Sequence, residues 1–319
     1  MATYTDIVSR ADSAALIPEE TSREIIQGVV AESAVLNNFK QLPNMSRKQH
    51  RMPVLSALPI AYFVDGSTDN GLKQTTEQKW DNIYLNAEEI ACIVPIPEAV
   101  LDDADYDIWG EIQPRIAEAF GIVIDAAVIH GTNAPAAWPS DLVAAATSAG
   151  NVVTLGSGAD IFEDIMGVNG LLAAVEGDGF FVNAHIAAMQ MKARLRGLRD
   201  ANGQPIFVSD MKAATPYSLD GAPLQFPLNG ALDPTAALMI SGNFSEAVFS
   251  IRQDLTYKVL TEAVIQDGSG NIVYNLAQQD MVALRAVMRL AWNVPNPINR
   301  LQQTEASRYP FGVLKPAAA

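Results

Sequence analysis

An α+β fold is the class this sequence predicts, with helices and strands in separate stretches of the chain. Three observations carry that expectation. Two strand-like runs, near 52–64 and 80–96, flank a polar turn; an amphipathic helix covers about 107–130; and strands dominate from about Leu238 onward.

A chain of 319 residues buries one large core or two medium ones, so folding requires neither disulfide nor metal. Just under half the residues are hydrophobic and 18% are charged, a globular composition. The formal net charge of −15 repels polyphosphates and speaks against sequence-independent DNA binding, which draws on clustered Lys and Arg. The single cysteine, Cys92, excludes an internal disulfide and fits a reducing compartment; in its apolar alternating run it reads as a buried, inert thiol. The N-terminus lacks the basic start and apolar core of a signal peptide, and "AFGIVIDAAVIHG" is interrupted by Asp125. A soluble protein made in a cytoplasm is therefore expected.

Residues 1–17 read as an arm. From Pro18 a helical pattern runs through "EETSREIIQGVVAESAVLNNF", with Ile25, Ile26, Val29, Val30 and Leu36 as its apolar stripe and Glu19, Glu20 and Glu24 at its positive end. Gly28 weakens it by about 1 kcal/mol relative to Ala and marks a place for a break.

The segment that follows is unusual. "MPVLSALPIAYFV" contains Pro53 and Pro59 in a strand-like run; the turn-rich "DGSTDNG" and "LKQTTEQK" follow, then "WDNIYLNAEEIACIVPI". In the last run Ile83, Leu85 and Ala87 alternate with polar residues, Ile90, Cys92 and Val94 continue out of phase, and Glu88 and Glu89 mark a bulge between them. Thirteen residues at 3.3 Å each extend ~43 Å, well beyond an ordinary strand. Two such arms form a protruding hairpin that a compact subunit has no room to bury, and prolines suit its edge. An isolated two-stranded ribbon is marginal in water, so this one is expected to lie on another chain, with a hairpin folded back into its own sheet as the alternative.

Asp102, Asp103, Asp105 and Asp107 come next, and the last three have the spacing that begins an EF-hand loop. Such a loop needs Gly at its sixth position and an acid at its twelfth, where this chain has Ile108 and Pro114. The aspartates read instead as caps and first-turn acids of the long helix. That helix carries Ile108, Ile112, Ile116, Phe120, Ile124 and Val128 at every fourth position, joined by Val123 and Ala127, and stops at Gly131. Gly110 and Pro114 predict a kink or a late start.

Beyond it, Ser140 is placed to cap "DLVAAA", and 159–175 form a helix with Ile161, Ile165, Val168, Leu172 and Val175 on one face. "GFFVNAHIAAMQMKARLRGLRDANGQPIFV" reads strand, helix, turn, strand, with Asn183 as the helix cap and "DANG" as the turn. "LMISGNF", "EAVFSIRQDLTYKVL" and "MVALRAVMRLAWNV" are strands, "QDGSGN" is a turn, and "KPAAA" is a tail.

Catalytic motifs are missing from the sequence. No second histidine follows His50, His130 or His185 at i+4, so there is no H-E-x-x-H zinc site. His50 reads as part of an exposed basic patch with Arg47, Lys48 and Arg51, and His130 as a partly charged group in the last turn of the long helix. G-x-S-x-G, G-x-G-x-x-G and any Gly-Lys pair of a phosphate loop are absent. Lys192, Arg194, Arg196 and Arg199 form a basic run without interleaved aromatics, better suited to a subunit interface in an acidic protein than to nucleic acid.

The order of these features resembles the tailed-bacteriophage major capsid proteins of the Hong Kong 97 fold. "VPIPEAVLDDADYDIWGEIQPRIAEAFGIVIDAAVIHGTN" looks like the strand, turn and spine helix of that family, and the hairpin before it like the extended E-loop. "FVNAHIAAMQMKARLRGLRDANGQPIF" resembles its axial domain, and "LMISGNFSEAVFSIRQDLTYKVL" and "DMVALRAVMRLAWNVPNPI" its closing strands. The resemblance covers about residues 12–305 and lies in order and spacing rather than in any one motif.

It implies an N-terminal arm and helix (1–43), the E-loop (44–96), a P-domain with spine helix (97–150), an A-domain (151–245), closing strands (246–305) and a C-terminal tail (306–319). It further implies a structural protein, not an enzyme, with no cofactor, metal or membrane. Many copies would form pentamers and hexamers that close into an icosahedral virion shell around double-stranded DNA, assembled in the host cytoplasm, each E-loop lying across a neighbour. The acidic balance then limits sticking to the packed DNA. A separate scaffolding protein is implied, since the match begins almost at Met1, and portal and decoration proteins are further partners. Some relatives join the E-loop to a neighbour by a Lys–Asn isopeptide bond; Lys73, Lys79 and Asn275 are the candidates here. An encapsulin-type nanocompartment shell is the alternative, and a soluble α+β enzyme a remote one.

Overall fold

The computed structural model describes residues 33–61, 63, 75–102, 108–199, 202, 204, 207 and 217–317. The first elements in chain order are α1 (Ala34–Asn38), β1 (Lys40–Gln41), β2 (Gln49–Ala57), β3 (Lys79–Asn86), β4 (Glu88–Pro97), α2 (Glu98–Asp102) and α3 (Ile108–His130). Next come α4 (Leu142–Ala149), β5 (Val152–Thr154), α5 (Ile161–Met166), α6 (Leu171–Gly177), β6 (Ala184–Ala187) and α7 (Met189–Gly197). The rest are strands: β7 (Ser218–Leu219), β8 (Ala222–Gln225), β9 (Met239–Gly242), β10 (Val248–Leu260), β11 (Val264–Gln266), β12 (Ile272–Asn275), β13 (Met281–Asn293) and β14 (Phe311–Lys315).

They build two larger sheets and two ribbons. The first sheet has the order β1-β10-β13-β4, the second β5-β14-β9-β6-β8-β7, and β2-β3 and β11-β12 stand as separate pairs. The mixed α+β class is as expected. In β13 the alternation dictates the faces: Val282, Leu284, Ala286, Met288, Leu290 and Trp292 join one hydrophobic cluster with Ile116, Phe120, Ile124 and Val128 of α3. Arg285 and Arg289 point to the opposite face. A second cluster fills the other sheet, where Ile165, Leu171, Leu172, Met191 and Leu195 from the helices meet Met239 and Leu314.

The helix α3 runs for 23 residues, ~35 Å at 1.5 Å per residue, with Pro114 inside it, and is followed by Gly131, whose φ of 67° is the left-handed stop the sequence predicts. Its stripe is buried or half-buried as expected, apart from Val123, which is 45% exposed. One charged side chain sits inside its apolar face. Asp125 accepts hydrogen bonds from the Ser33 hydroxyl, from the amides of Ala34 (2.9 Å) and Val35 (3.2 Å), and from Asn229 Nδ2 (2.7 Å). The carboxylate thus satisfies the first orphan N–H groups of α1. Burial raises its pKa, against the lowering pull of those hydrogen bonds.

Several local expectations change. Ser33 is extended and its side chain caps α1, so the helix ending at Asn38 starts at Ala34; the N-terminal arm and the helical pattern expected from Pro18 to Glu32 lie outside the described residues. Asp103, Asp105 and Asp107 also lie outside them, and Asp102 ends α2 instead of starting α3. Asp141, not Ser140, caps α4, its carboxylate accepting from Ala144 N at 2.8 Å. The helix expected over 159–175 is two, α5 and α6, because Gly167 and Gly170 pack so tightly on backbone that a Cβ would lie within 3 Å of the Glu163 carbonyl; Val168 between them is 92% exposed. Asn183 caps no helix: it accepts from Phe244 N and donates to Asn243 and Ser245, fastening the start of β6. The segment read as a tail from 306 supplies β14, buried between β5 and β9.

His185, in the interior of β6, is fully buried. Its Nε2 faces the Leu219 carbonyl at 3.1 Å and must donate, so Nδ1 accepts from the Ser241 hydroxyl at 2.8 Å and the ring is neutral. Burial pushes its pKa down from 6.5 to about 4. The unfolded chain therefore takes up the proton first: stability is whole above 6.5 and is lost as pH falls toward about 4. At ~1.4 kcal/mol per pKa unit the loss reaches ~3 kcal/mol. Urea midpoints across this window are expected to fall, and His185→Gln to flatten the slope; an equal slope in both proteins contradicts the assignment.

Candidate subunit interface

The β2-β3 ribbon pairs Gln49 with Asn86 at its base and Ala57 with Lys79 at its outer end, and no third strand joins it among the described residues. Prolines are tolerated because each edge is free: Pro53 sits opposite Asn82 without a ladder to complete on its other side. Full burial is confined to the base, where Leu85 and Ala87 join Met45, Val248 and Ala291, with Met52 packed against them; Val54, Leu55, Ser56, Ala57 and Leu58 are half-buried. Tyr84, near the base, is exposed; farther out, Trp80 is 62% exposed, and Ile60 and Phe63 stand in solvent. A pair of strands with large apolar groups on an open face has too little burial to hold itself.

The base is fastened by hydrogen bonds. Ala87 N donates to the Lys48 carbonyl (2.8 Å), Trp138 Nε1 to the Asn86 carbonyl (3.2 Å), Asn86 Nδ2 to the Ala137 carbonyl (3.0 Å), and Asn293 Nδ2 to the Tyr84 carbonyl (3.1 Å). The expected bulge at Glu88 and Glu89 is instead a change of partner. Up to Asn86 the chain pairs with β2, and from Glu88 it pairs with β13 in unbroken register. The hydrophobic phase shifts because the two strands face different neighbours. Glu89 lies opposite Arg289 and forms an ion pair with it, and Glu88 pairs with Lys48 at 3.3 Å.

Lys73 lies outside the described residues. Lys79 is exposed at the outer end of β3 and pairs with Glu77 at 3.1 Å. Asn275 ends β12, on the other ribbon, and its Nδ2 donates to Gln278 Oε1 at 2.8 Å. Within one chain the two belong to separate ribbons, and no described hydrogen bond joins them. That second ribbon carries exposed Val264, Ile272, Val273 and Tyr274, a feature the sequence reading passes over because the run "NIVY" is too short to stand out.

The members of the basic run make different contacts within the chain. Lys192 Nζ stacks over the Tyr217 ring at 4.6 Å and lies near Phe226, a cation–π arrangement. Arg199 turns back to donate to the Arg196 carbonyl at 2.6 Å, closing the end of α7. Arg194 and Arg196 stay exposed in its last turn, where cations suit the helix dipole. His50 is exposed beside Arg47, Lys48 and Arg51, as expected. His130 differs from expectation: its Nε2 accepts from Asp233 N at 2.9 Å, and burial pushes its pKa down although Asp233 and Asp141 pull it up. Cys92 faces the core side of β4, where burial raises its pKa. Among the described residues no His, Cys, Asp or Glu cluster could hold a metal ion, and no helix is long and apolar enough to cross a membrane.

A family model described as the phage capsid family matches residues 13–299. A curated relative, the major capsid protein of Staphylococcus phage 80alpha, is 28% identical over 280 residues, covering 86% of this chain and 80% of its own. A solved structure from Microbacterium phage Oxtober96 has 37% identity and a TM-score of 0.77 over 89% of this chain and 91% of that one. Another, from Mycobacterium phage Adephagia, has 32% identity and a TM-score of 0.77 over 98% and 99%.

Trp138→Phe tests the anchoring of the ribbon base. Phenylalanine retains an aromatic edge toward Trp292 but lacks the indole N–H held by Asn86. A stability loss of about 1 kcal/mol is expected in urea unfolding; an unchanged midpoint would show that this bond contributes nothing.

Proposed function

The chain belongs to the phage capsid family, and from that premise we propose how this major capsid protein works in its shell. Copies associate as pentamers and hexamers that close into an icosahedral container for the double-stranded DNA of a tailed phage. The observation that carries this reading is the ribbon, fastened at its base while Trp80, Tyr84, Ile60 and Phe63 are left in water. A neighbouring copy beneath the ribbon supplies the burial that its own body does not.

The net charge of −15 fits a container that must release what it holds, since an acidic lining gives DNA phosphates nothing to adhere to. Assembly in the bacterial cytoplasm, with scaffolding, portal and decoration proteins as partners, completes the proposal. Arg194 and Arg196, exposed at the end of α7, are candidate contacts for acidic groups of an adjacent copy. Lys73, Lys79 and Asn275 are candidates for covalent joining between copies, and boiling shells in detergent separates the cases. A ladder of bands is the mark of joining, and one monomer band excludes it.

Negative-stain microscopy of the purified chain tests the main reading: closed shells of uniform diameter are expected, and only small isolated particles would refute it. Fluorescence follows the ribbon itself. Of the four tryptophans, Trp109, Trp138 and Trp292 are buried and Trp80 is exposed. Assembly is expected to shift the emission to the blue, and Trp80→Phe to remove that shift. A shift that persists without Trp80 would place the burial elsewhere.

A further inference from the structure

Between β13 and the short helical turn at Glu305–Ser307, residues 294–304 form a loop without regular structure of its own. Such a loop is usually mobile, because ordering each backbone residue costs conformational entropy. This one is closed from behind by Arg308, only 3% exposed. Its guanidinium donates through Nε to Asn296 Oδ1 (3.1 Å), through one terminal nitrogen to the Asn296 carbonyl (2.9 Å), and through the other to the carbonyls of Gln302 (2.8 Å) and Gln303 (3.3 Å). Both ends of the loop are therefore held by a single planar fork, which no point-like ammonium can reproduce. Asn296 returns a bond to the Arg308 carbonyl at 2.7 Å and adopts a left-handed φ of 45°.

The middle of the loop is fixed from the end of α6, the helix that packs on β14 of the second sheet. Asn299 Nδ2 donates to the Asp178 carbonyl at 2.6 Å, while its Oδ1 accepts from the amides of Leu301 and Gln302. Gly179 faces it so closely that a Cβ would come within 2.9 Å of Asn299 Nδ2. From this fixed loop two bonds reach out to β2 and its continuation: Ile298 N donates to the Leu55 carbonyl at 3.2 Å, and Arg300 to the Pro59 carbonyl at 2.6 Å. Both acceptors lie well beyond the anchored base of the ribbon.

We infer that residues 296–303 are a brace that sets the direction in which the β2-β3 ribbon leaves the body, with Arg308 as its positioning residue. Arg308 does not touch the ribbon; it acts through the loop. The second sheet and the ribbon are thereby mechanically linked, so a shift of one carries the other. The inference rests on the reading of the ribbon as an intersubunit arm only for its consequence in shells; the linkage itself belongs to the single subunit.

Hydrogen exchange on unassembled full-length subunits tests it, with Arg308→Lys, Arg300→Ala and the double variant. Arg308→Lys is expected to speed exchange of the Ile298 amide about tenfold, as for loss of one local hydrogen bond, and to speed the outer β2 amides with it, while the amides of β13 keep their rates. Arg300→Ala, a surface change, is expected to loosen the outer end of β2 alone, and the double variant to match Arg308→Lys there. Acceleration spread evenly over β2 and β13 would make Arg308 an ordinary core support, and wild-type rates at Ile298 would likewise overturn the brace. Microscopy of the same variants keeps the two claims apart. A wild-type chain without shells sinks the capsid reading and leaves the exchange result to decide the brace; wild-type exchange in variants that still form shells sinks the brace alone.

Discussion

Two paired strands expose both faces and both outer edges, and the hydrogen bonds between them do not compensate for the entropy of ordering them in water. Every unusual feature of this subunit follows from carrying such a ribbon away from its body. Prolines occupy an edge where no further strand can add, large apolar groups sit where a lone protein would place polar ones, and the base is held by side-chain bonds from Asn86, Trp138 and Asn293. In the proposed shell the missing surface is supplied by repetition, each copy lending its body to the ribbon of the next.

The body is organised to make that overhang tolerable. The helix α3 and the four-stranded sheet form a single apolar cluster, so the strand that leads out of the ribbon, β4, enters a rigid layer at once. Asp125 gathers the start of α1 and the loop at Asn229 onto the same helix, in a place where an unpaired carboxylate would be costly. The second sheet is closed by β14 from the far end of the chain, which brings Arg308 and the loop it holds alongside the ribbon. Elements distant in sequence thus converge on the place where the ribbon leaves the body.

Much of this was legible in the residues. The four-residue repeat from Ile108 to Val128 specified α3 and its buried face, and the strand-rich runs after Leu238 marked out β10 and β13. What could not be read depended on partners far along the chain. Val123 falls on the helical stripe, yet it stays 45% exposed. Glu88 and Glu89 looked like a bulge because a strand that changes partner at Ala87 leaves the same out-of-phase mark. Phe311–Lys315 is too short to announce a buried strand, and Arg308 shows its role only once the carbonyls of Asn296, Gln302 and Gln303 surround it. Lys79 and Asn275 lie on separate ribbons, and only the packing of neighbouring copies decides whether they meet.

Light scattering from a chain in which residues 58–78 are replaced by an Asn-Gly turn addresses the role of the overhang most directly. The shortened subunit is expected to keep both cores, since none of the described residues among those removed belongs to either, and to remain at the mass of single subunits or small clusters. Closed shells of full mass from that variant would show that the overhang is dispensable for assembly.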